Sequence, residues 1–250
     1  MIYGLYQSAA GMMTSEYRQA VLANNVANAD TVGFKRDVAT FAERVPARQA
    51  GRRHGPSAVD LEGLSGGMWL GQTFTDYSPG TKVATGEWHD VALDGPGFLV
   101  VQVNGQPQYT RDGRLLMDRD GFLTAATDGA PVLGVGGMPI RLNPRGGTPS
   151  IDTQGRISQD GAVVAELELV DFEDYTALRK AGATRFVAPD QGRRPAPVLV
   201  QAGYLEGAGV EAIEELVSLM EVSRAYQVNA RMVALQDESV GRLINTVMRA

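Results

Sequence analysis

The stretch from Glu211 to Met248 constrains this chain more than any other feature. It contains no proline and one glycine, Gly241. Ala212, Leu219, Tyr226, Val233, Val240 and Val247 recur every seven residues, the repeat by which one helix keeps an apolar seam turned toward another. Leu216, Ser223, Ala230, Asp237 and Ile244 form a mixed stripe beside them. Five heptads predict a rod of roughly 50 Å at 1.5 Å rise per residue. A domain built from 250 residues has no internal need for such a rod, so this helix calls for a partner along its length.

The other end of the chain offers one. Over residues 2–27, Ile2, Leu5, Tyr6, Ala9, Met12, Met13, Tyr17, Ala20, Ala23 and Ala27 share one arc of a helical wheel. Gln7, Ser8, Gly11, Thr14, Ser15, Arg18 and Asn25 fall opposite, and Glu16 intrudes on the apolar arc. Gly4 and Gly11 each cost roughly 1 kcal/mol of helix propensity against alanine. Such a helix is marginal alone. The expectation is that the two terminal helices pack as a coiled coil through their apolar stripes. Charge agrees: residues 1–36 carry two acidic and three basic side chains, residues 205–250 seven acidic and four basic.

Between the helices the sequence reads as β structure. Thirty of the 250 residues are glycine, well above ordinary usage, and most punctuate short apolar or alternating runs. Phe98–Val103, Asn104-Gly105 and Gln106–Thr110 predict a hairpin with a type I′ turn. Asp118-Arg119-Asp120-Gly121-Phe122-Leu123 and Asp152-Thr153-Gln154-Gly155-Arg156-Ile157 share one turn frame. The fold class is therefore α+β: long terminal helices in a coiled-coil-like stalk, with a Gly-rich all-β central domain. The expected division is a helical domain of residues 1–36 plus 205–250, an extended arm of 37–75, and a β-rich domain of 76–204.

Chemistry is mostly excluded. The chain has no cysteine, which removes disulfides, thiol nucleophiles and Cys-ligated metals. With only His54 and His89 there is no multi-histidine metal site, and no cofactor is expected. Gly63-Leu64-Ser65-Gly66-Gly67 matches the G-x-S-x-G elbow of hydrolases, with His89 or His54 as base, but it lacks the strand and helix that expose such a serine. Asp118-Arg119-Asp120-Gly121 begins like a calcium loop and lacks its later ligands, since Phe122 and Gly129 stand where they belong. Gly134-Val135-Gly136-Gly137 is followed by no helix to receive a phosphate. A net charge of −6 speaks against nucleic acid. No run of about 18 apolar residues exists to span a bilayer, and the first residues lack the basic and apolar regions of a secretory signal. Arg44, Arg48, Arg52 and Arg53 remain as an anion-binding option in a loop, with peptidoglycan as its ligand.

These segments resemble the flagellar basal-body rod and hook proteins over nearly the whole chain. Ala23-Asn24-Asn25-Val26-Ala27-Asn28-Ala29-Asp30-Thr31-Val32-Gly33-Phe34-Lys35 follows that family's N-terminal signature, with Asp30 where Asn or Ser is usual. Asp90-Val91-Ala92-Leu93-Asp94-Gly95-Pro96-Gly97-Phe98, Tyr109-Thr110-Arg111-Asp112-Gly113 and Pro131-Val132-Leu133-Gly134 resemble its central segments. Glu214-Glu215-Leu216-Val217 and Arg224-Ala225-Tyr226-Gln227-x-Asn229 resemble its C-terminal ones.

The resemblance implies a non-enzymatic subunit whose terminal helices build the inner tube of an axial structure, with the β domain outside. It implies assembly with copies of itself and other rod subunits, and export through the flagellar type III apparatus without a cleaved signal. The residues expected at the assembly interface are Leu5, Ala9, Met12, Asn24, Asn25, Asn28, Gly33, Phe34, Leu216, Leu219, Tyr226, Asn229, Val233 and Val240. Length, the opening Met1-Ile2-Tyr3-Gly4-Leu5-Tyr6 and Ser223-Arg224-Ala225-Tyr226 look most like the family's proximal-rod member and next most like its distal-rod member.

Overall fold

The structure, a computed structural model, describes residues 2–43, 68–189 and 192–248. Two long terminal helices pack together and flank a β-rich region, so the fold is α+β. The chain divides into two compact units. One comprises Met1–Ala27, Asp37–Thr75 and Ala212–Ala250; the other comprises Asn28–Arg36 and Asp76–Glu211.

In the helical unit, α1 runs Ile2–Ala27 and α2 runs Ala212–Val247. Glu214 and Glu215 sit in the first turn of α2, where carboxylates suit the positive end of the helix dipole. Both ends of the stretch read as an extended arm are strands: β1 (Asp37–Glu43) pairs antiparallel with β2 (Met68–Thr75), Val38 opposite Phe74. The register shifts between Ala39 and Phe41, so the strand carries a bulge. Arg44, Arg48, Arg52, Arg53, His54 and Ser65 lie outside the described residues.

The β unit centres on a six-stranded antiparallel sheet. Its order is Arg179–Lys180, Arg185–Val187, Gln106–Thr110, Phe98–Val103, Leu169–Phe172 and Arg193–Pro195. The strand Phe98–Val103 is buried on both faces. Leu99 and Val101 enter one core with Val91, Leu115, Ile157 and Val200; Phe98 and Val100 enter another with Tyr109, Phe172 and Phe186. This is why four consecutive apolar residues occur where a half-buried strand would alternate. The expected hairpin is present. Val103 pairs with Gln106, and Asn104 and Gly105 have φ of 52° and 77°, both positive as a type I′ turn requires. The two D-x-x-G frames also fold alike. Asp118 Oδ1 accepts the amides of Asp120 and Phe122, and Asp152 Oδ1 those of Gln154 and Arg156, so both aspartates close a turn.

Candidate assembly interface

The helices of the first unit run antiparallel. Gly4 faces Gln236, Gly11 faces Asn229 and Asn25 meets Glu215, so residues whose numbers sum to 240 lie opposite one another. On α2 the facing positions are Glu215, Leu219, Val222, Tyr226, Asn229, Val233 and Gln236, spaced alternately four and three apart. All are buried or half-buried. The stripe Leu219, Tyr226, Val233 is the one the heptads predict. Its companion is Glu215, Val222, Asn229 and Gln236, one position away from the predicted stripe that begins at Leu216. Leu216 itself is 45% exposed.

On α1 the contact follows the expected arc only in part. The residues turned to α2 are Gly4, Ser8, Gly11, Ser15, Leu22 and Asn25, five of which are glycine, serine or asparagine. A Cβ at Gly11 would stand 2.9 Å from Nδ2 of Asn229, and one at Gly4 2.7 Å from Nε2 of Gln236. The two glycines that weaken the isolated helix thus make room for long polar side chains from α2, and small residues let the two backbones approach closely. Two hydroxyls on this helix are satisfied within it: Ser15 donates to the Gly11 carbonyl at 2.7 Å, and Thr14 to that of Ala10 at 3.1 Å.

Much of the apolar arc is consequently left outside, although Leu5, Met12 and Tyr17 are half-buried. Tyr6 and Met13 are 69% and 71% exposed, and Ala9, Glu16, Ala20, Ala23 and Ala27 are exposed between and beyond them. On α2, Ile213, Val217, Met220, Val228 and Leu235 are exposed on the side away from α1. No described residue of α1 lies opposite Ser239–Val247, where Val240, Leu243, Ile244 and Val247 are exposed.

The Asn-rich end of α1 has an internal task. Asn25 is 1% exposed. Its Nδ2 donates to the Asp37 carbonyl at 2.9 Å while its Oδ1 accepts the Asp37 amide at 3.0 Å. The amide side chain therefore pairs with the start of β1 as a neighbouring strand would. Nδ2 also reaches Glu215 Oε2 at 3.4 Å, which ties α1, β1 and α2 at one point. The Tyr17 hydroxyl bonds the Thr73 hydroxyl, holding β2 to α1. Asn28 accepts the Thr31 hydroxyl at 3.2 Å.

In the β unit, the rest of the signature is anchored by a buried ion cluster. Gly33 has φ of 70°, and a Cβ there would lie 2.4 Å from the Arg111 carbonyl carbon, so only glycine fits. Phe34 is 1% exposed, with Lys180 Nζ 4.4 Å from its ring centroid. Lys35 Nζ lies 2.5 Å from Glu206 Oε1 and donates to the Ser78 carbonyl at 2.7 Å. Arg111 Nη1 meets Glu206 Oε2 at 3.0 Å. Burial alone would raise the Glu206 carboxyl, but the Arg111 and Lys35 cations outweigh it and hold the group below the usual carboxylate range. The sequence offered no sign of this cluster beyond the charges themselves, because its members are far apart in the chain.

The residues expected at the interface therefore divide. Ala9, Asn24, Leu216 and Val240 are exposed, and Leu5 and Met12 are half-buried. Leu219, Tyr226, Asn229 and Val233 face α1, while Asn25, Gly33 and Phe34 are buried inside their own units. His89 is half-buried beside the Trp88 ring, 5.5 Å between centroids. Among the described residues no group of three potential metal ligands occurs, and no helix is long and apolar enough to cross a membrane.

A packed β unit, and a helix pair with one face used inside the subunit and another left apolar, are features of a structural subunit. Comparison with known proteins agrees. Residues 5–35 match the family described as "Flagella basal body rod protein", 92–165 the "Flagellar hook protein FlgE/F/G D1 domain" and 201–246 the "Flagellar basal body rod FlgEFG protein C-terminal". The "Flagellar basal-body rod protein FlgF" of Caulobacter vibrioides is 35% identical over 92% of this chain and 91% of its own length. The "Flagellar basal-body rod protein FlgG" of Buchnera aphidicola subsp. Schizaphis graminum is 30% identical over 97% and 99%. The FlgF of Salmonella typhimurium is 30% identical over 97% of each. The chain belongs to the flagellar basal-body rod protein family and is a rod subunit.

Proposed function

We propose that this subunit polymerises through the outer faces of α1 and α2 into the wall of the axial tube, with the β unit outside, and that its place is the proximal rod. The observation that carries the reading is the exposed arc of Tyr6, Ala9, Met13 and Ala20 on the side of α1 away from α2. Contiguous exposed apolar surface of this kind marks an interaction site. Different faces offered by the same subunit generate heterologous contacts, which build helical tubes. A tube packed in this way is stiff along its length and transmits torque.

The proximal position is supported by the 35% identity with the Caulobacter FlgF against 30% with the Buchnera FlgG, and by the opening Met1-Ile2-Tyr3-Gly4-Leu5-Tyr6. The distal rod is the second reading, favoured by the alignment over 99% of the Buchnera FlgG. The partners are copies of this chain, other rod subunits and the type III export apparatus. A chain without cysteine is suited to unfolded passage, since no disulfide can form on the way.

Met13→Asp tests the reading. The side chain is exposed, so the melting of the purified subunit should shift by no more than about 0.5 kcal/mol in stability. In cells lacking the native protein, the variant should fail to enter basal bodies, and the cells should not swim. Normal incorporation of Met13→Asp would sink the proposal. Gold labelling of a tagged subunit in isolated basal bodies should mark the membrane-proximal part of the rod; a label at the hook end would replace that position with the distal one.

A further inference from the structure

The exposed side of α1 is itself a heptad seam. Tyr6, Ala9, Met13, Glu16, Ala20, Ala23 and Ala27 are spaced alternately three and four apart, and every one is exposed. On a helical wheel this seam lies nearly diametrically opposite the Gly4–Ser8–Gly11–Ser15 seam that holds α2. The exposed side of α2 carries a matching ridge: Ile213, Val217, Met220, Arg224, Val228, Arg231 and Leu235. Each surface is apolar except near its middle. Glu16 interrupts the seam, and Arg224 and Arg231 interrupt the ridge. None of these three charges forms an ion pair among the described residues.

In a tube whose copies all point the same way along its axis, α2 of a neighbour runs antiparallel to α1, as it does inside the subunit. The seam is small at its C-terminal half, with Ala20, Ala23 and Ala27, and large at its N-terminal half, with Tyr6 and Met13. The ridge carries Ile213, Val217 and Met220 in its N-terminal half, and Val228 and Leu235 in its C-terminal half. Antiparallel docking sets Ile213, Val217 and Met220 against the three alanines and brings Glu16 to Arg224.

We propose that the outer seam of α1 receives the outer ridge of α2 from a second copy of this chain, antiparallel, with Glu16 opposite Arg224. This rests on the polymerisation reading above and names its occupant and register. The same chain then uses one antiparallel geometry twice: inside the subunit through a glycine–serine seam, and between subunits through an alanine–large seam with one ion pair.

Charge exchange tests it in cells producing the full-length chain. Glu16→Arg and Arg224→Glu alone should each lower incorporation into basal bodies at least about tenfold, because like charges then meet across the contact. The double variant should recover at least half of the normal level. Thermal melting of the purified single variants should be unchanged, since neither residue has an ion-pair partner among the described residues. Normal assembly of either single variant, or a double variant no better than the singles, would overturn the pairing.

The absence of native cysteine gives a second reading. In an Ala20→Cys, Met220→Cys variant the only thiols are those two, and oxidation of isolated basal bodies should give covalent dimers and higher species. Monomer alone would count against the proposal. Failure of the rod reading is separate, because it would show as absence of the unaltered chain from basal bodies.

Discussion

The two units of this protein treat their large apolar side chains in opposite ways. In the β unit, Phe98, Leu99, Val100 and Val101 are at most 1% exposed, and both faces of their strand are covered. In the helical unit, Tyr6, Met13, Ile213 and Val228 are more than half exposed, while glycine and serine fill the helix–helix contact. The β unit buries its apolar side chains within one copy; the helical unit leaves many of its own exposed, and the proposed assembly would cover them.

Breaking the β unit should have the largest effect on the isolated protein. Phe98 packs against Tyr77, Tyr175 and Phe186 with ring centroids 6.0, 6.0 and 5.5 Å away. Phe98→Ala should cost about 3–5 kcal/mol, read as an earlier urea transition of the β signal. A change below about 1 kcal/mol would mean that this core does not carry the unit.

Glu206→Ala should approach the same size, at about 3–5 kcal/mol, because it leaves Lys35 and Arg111 buried without their anion. The same cluster sets an acid limit. The folded carboxyl titrates below the ordinary glutamate value of 4.5, so on acidification the unfolded chain takes up its proton first. The stabilising effect is complete above that value and is lost as pH falls through the lower folded one. Unfolding curves from pH 7 to pH 3 should show that loss, and Glu206→Gln should flatten it.

Asn25→Ala should be milder, about 1–3 kcal/mol, since it strips partners from the Asp37 backbone and from Glu215. Hydrogen exchange should locate that loss in the helical unit and β1, leaving the Phe98 strand protected. Equal loosening of both units would erase the contrast between them. Met13→Asp closes the series, with almost no effect on the monomer and a complete effect on assembly.

Local features were legible in the sequence. The type I′ signal at Asn104-Gly105 and the turns at Asp118 and Asp152 depend on a few adjacent residues, and they fold as their chemistry requires. The stripe Leu219, Tyr226, Val233 was equally readable, because a heptad repeat names its own face. The face that α1 turns to α2 was not. A helical wheel ranks faces by hydrophobicity, but closeness of backbones decided this contact, and Gly4, Ser8, Gly11 and Ser15 allow what Met13 and Tyr6 would prevent. The companion stripe on α2 moved by one residue for the same reason: Glu215, Asn229 and Gln236 reach polar or open sites on α1 that Leu216 would not use.

The sequence by itself determined two long terminal helices, a turn-rich β body, the lack of thiols, and membership of the rod family. It could do so because periodicity, turn chemistry and residue absence are written locally. The tertiary structure decided which side of each helix is used inside the subunit and which is left exposed. It also brought Lys35, Arg111 and Glu206 into one buried cluster. Those outcomes depend on pairs such as Asn25 with Glu215 and Lys35 with Glu206, which are distant in the chain and whose energies exist only once the backbones have met.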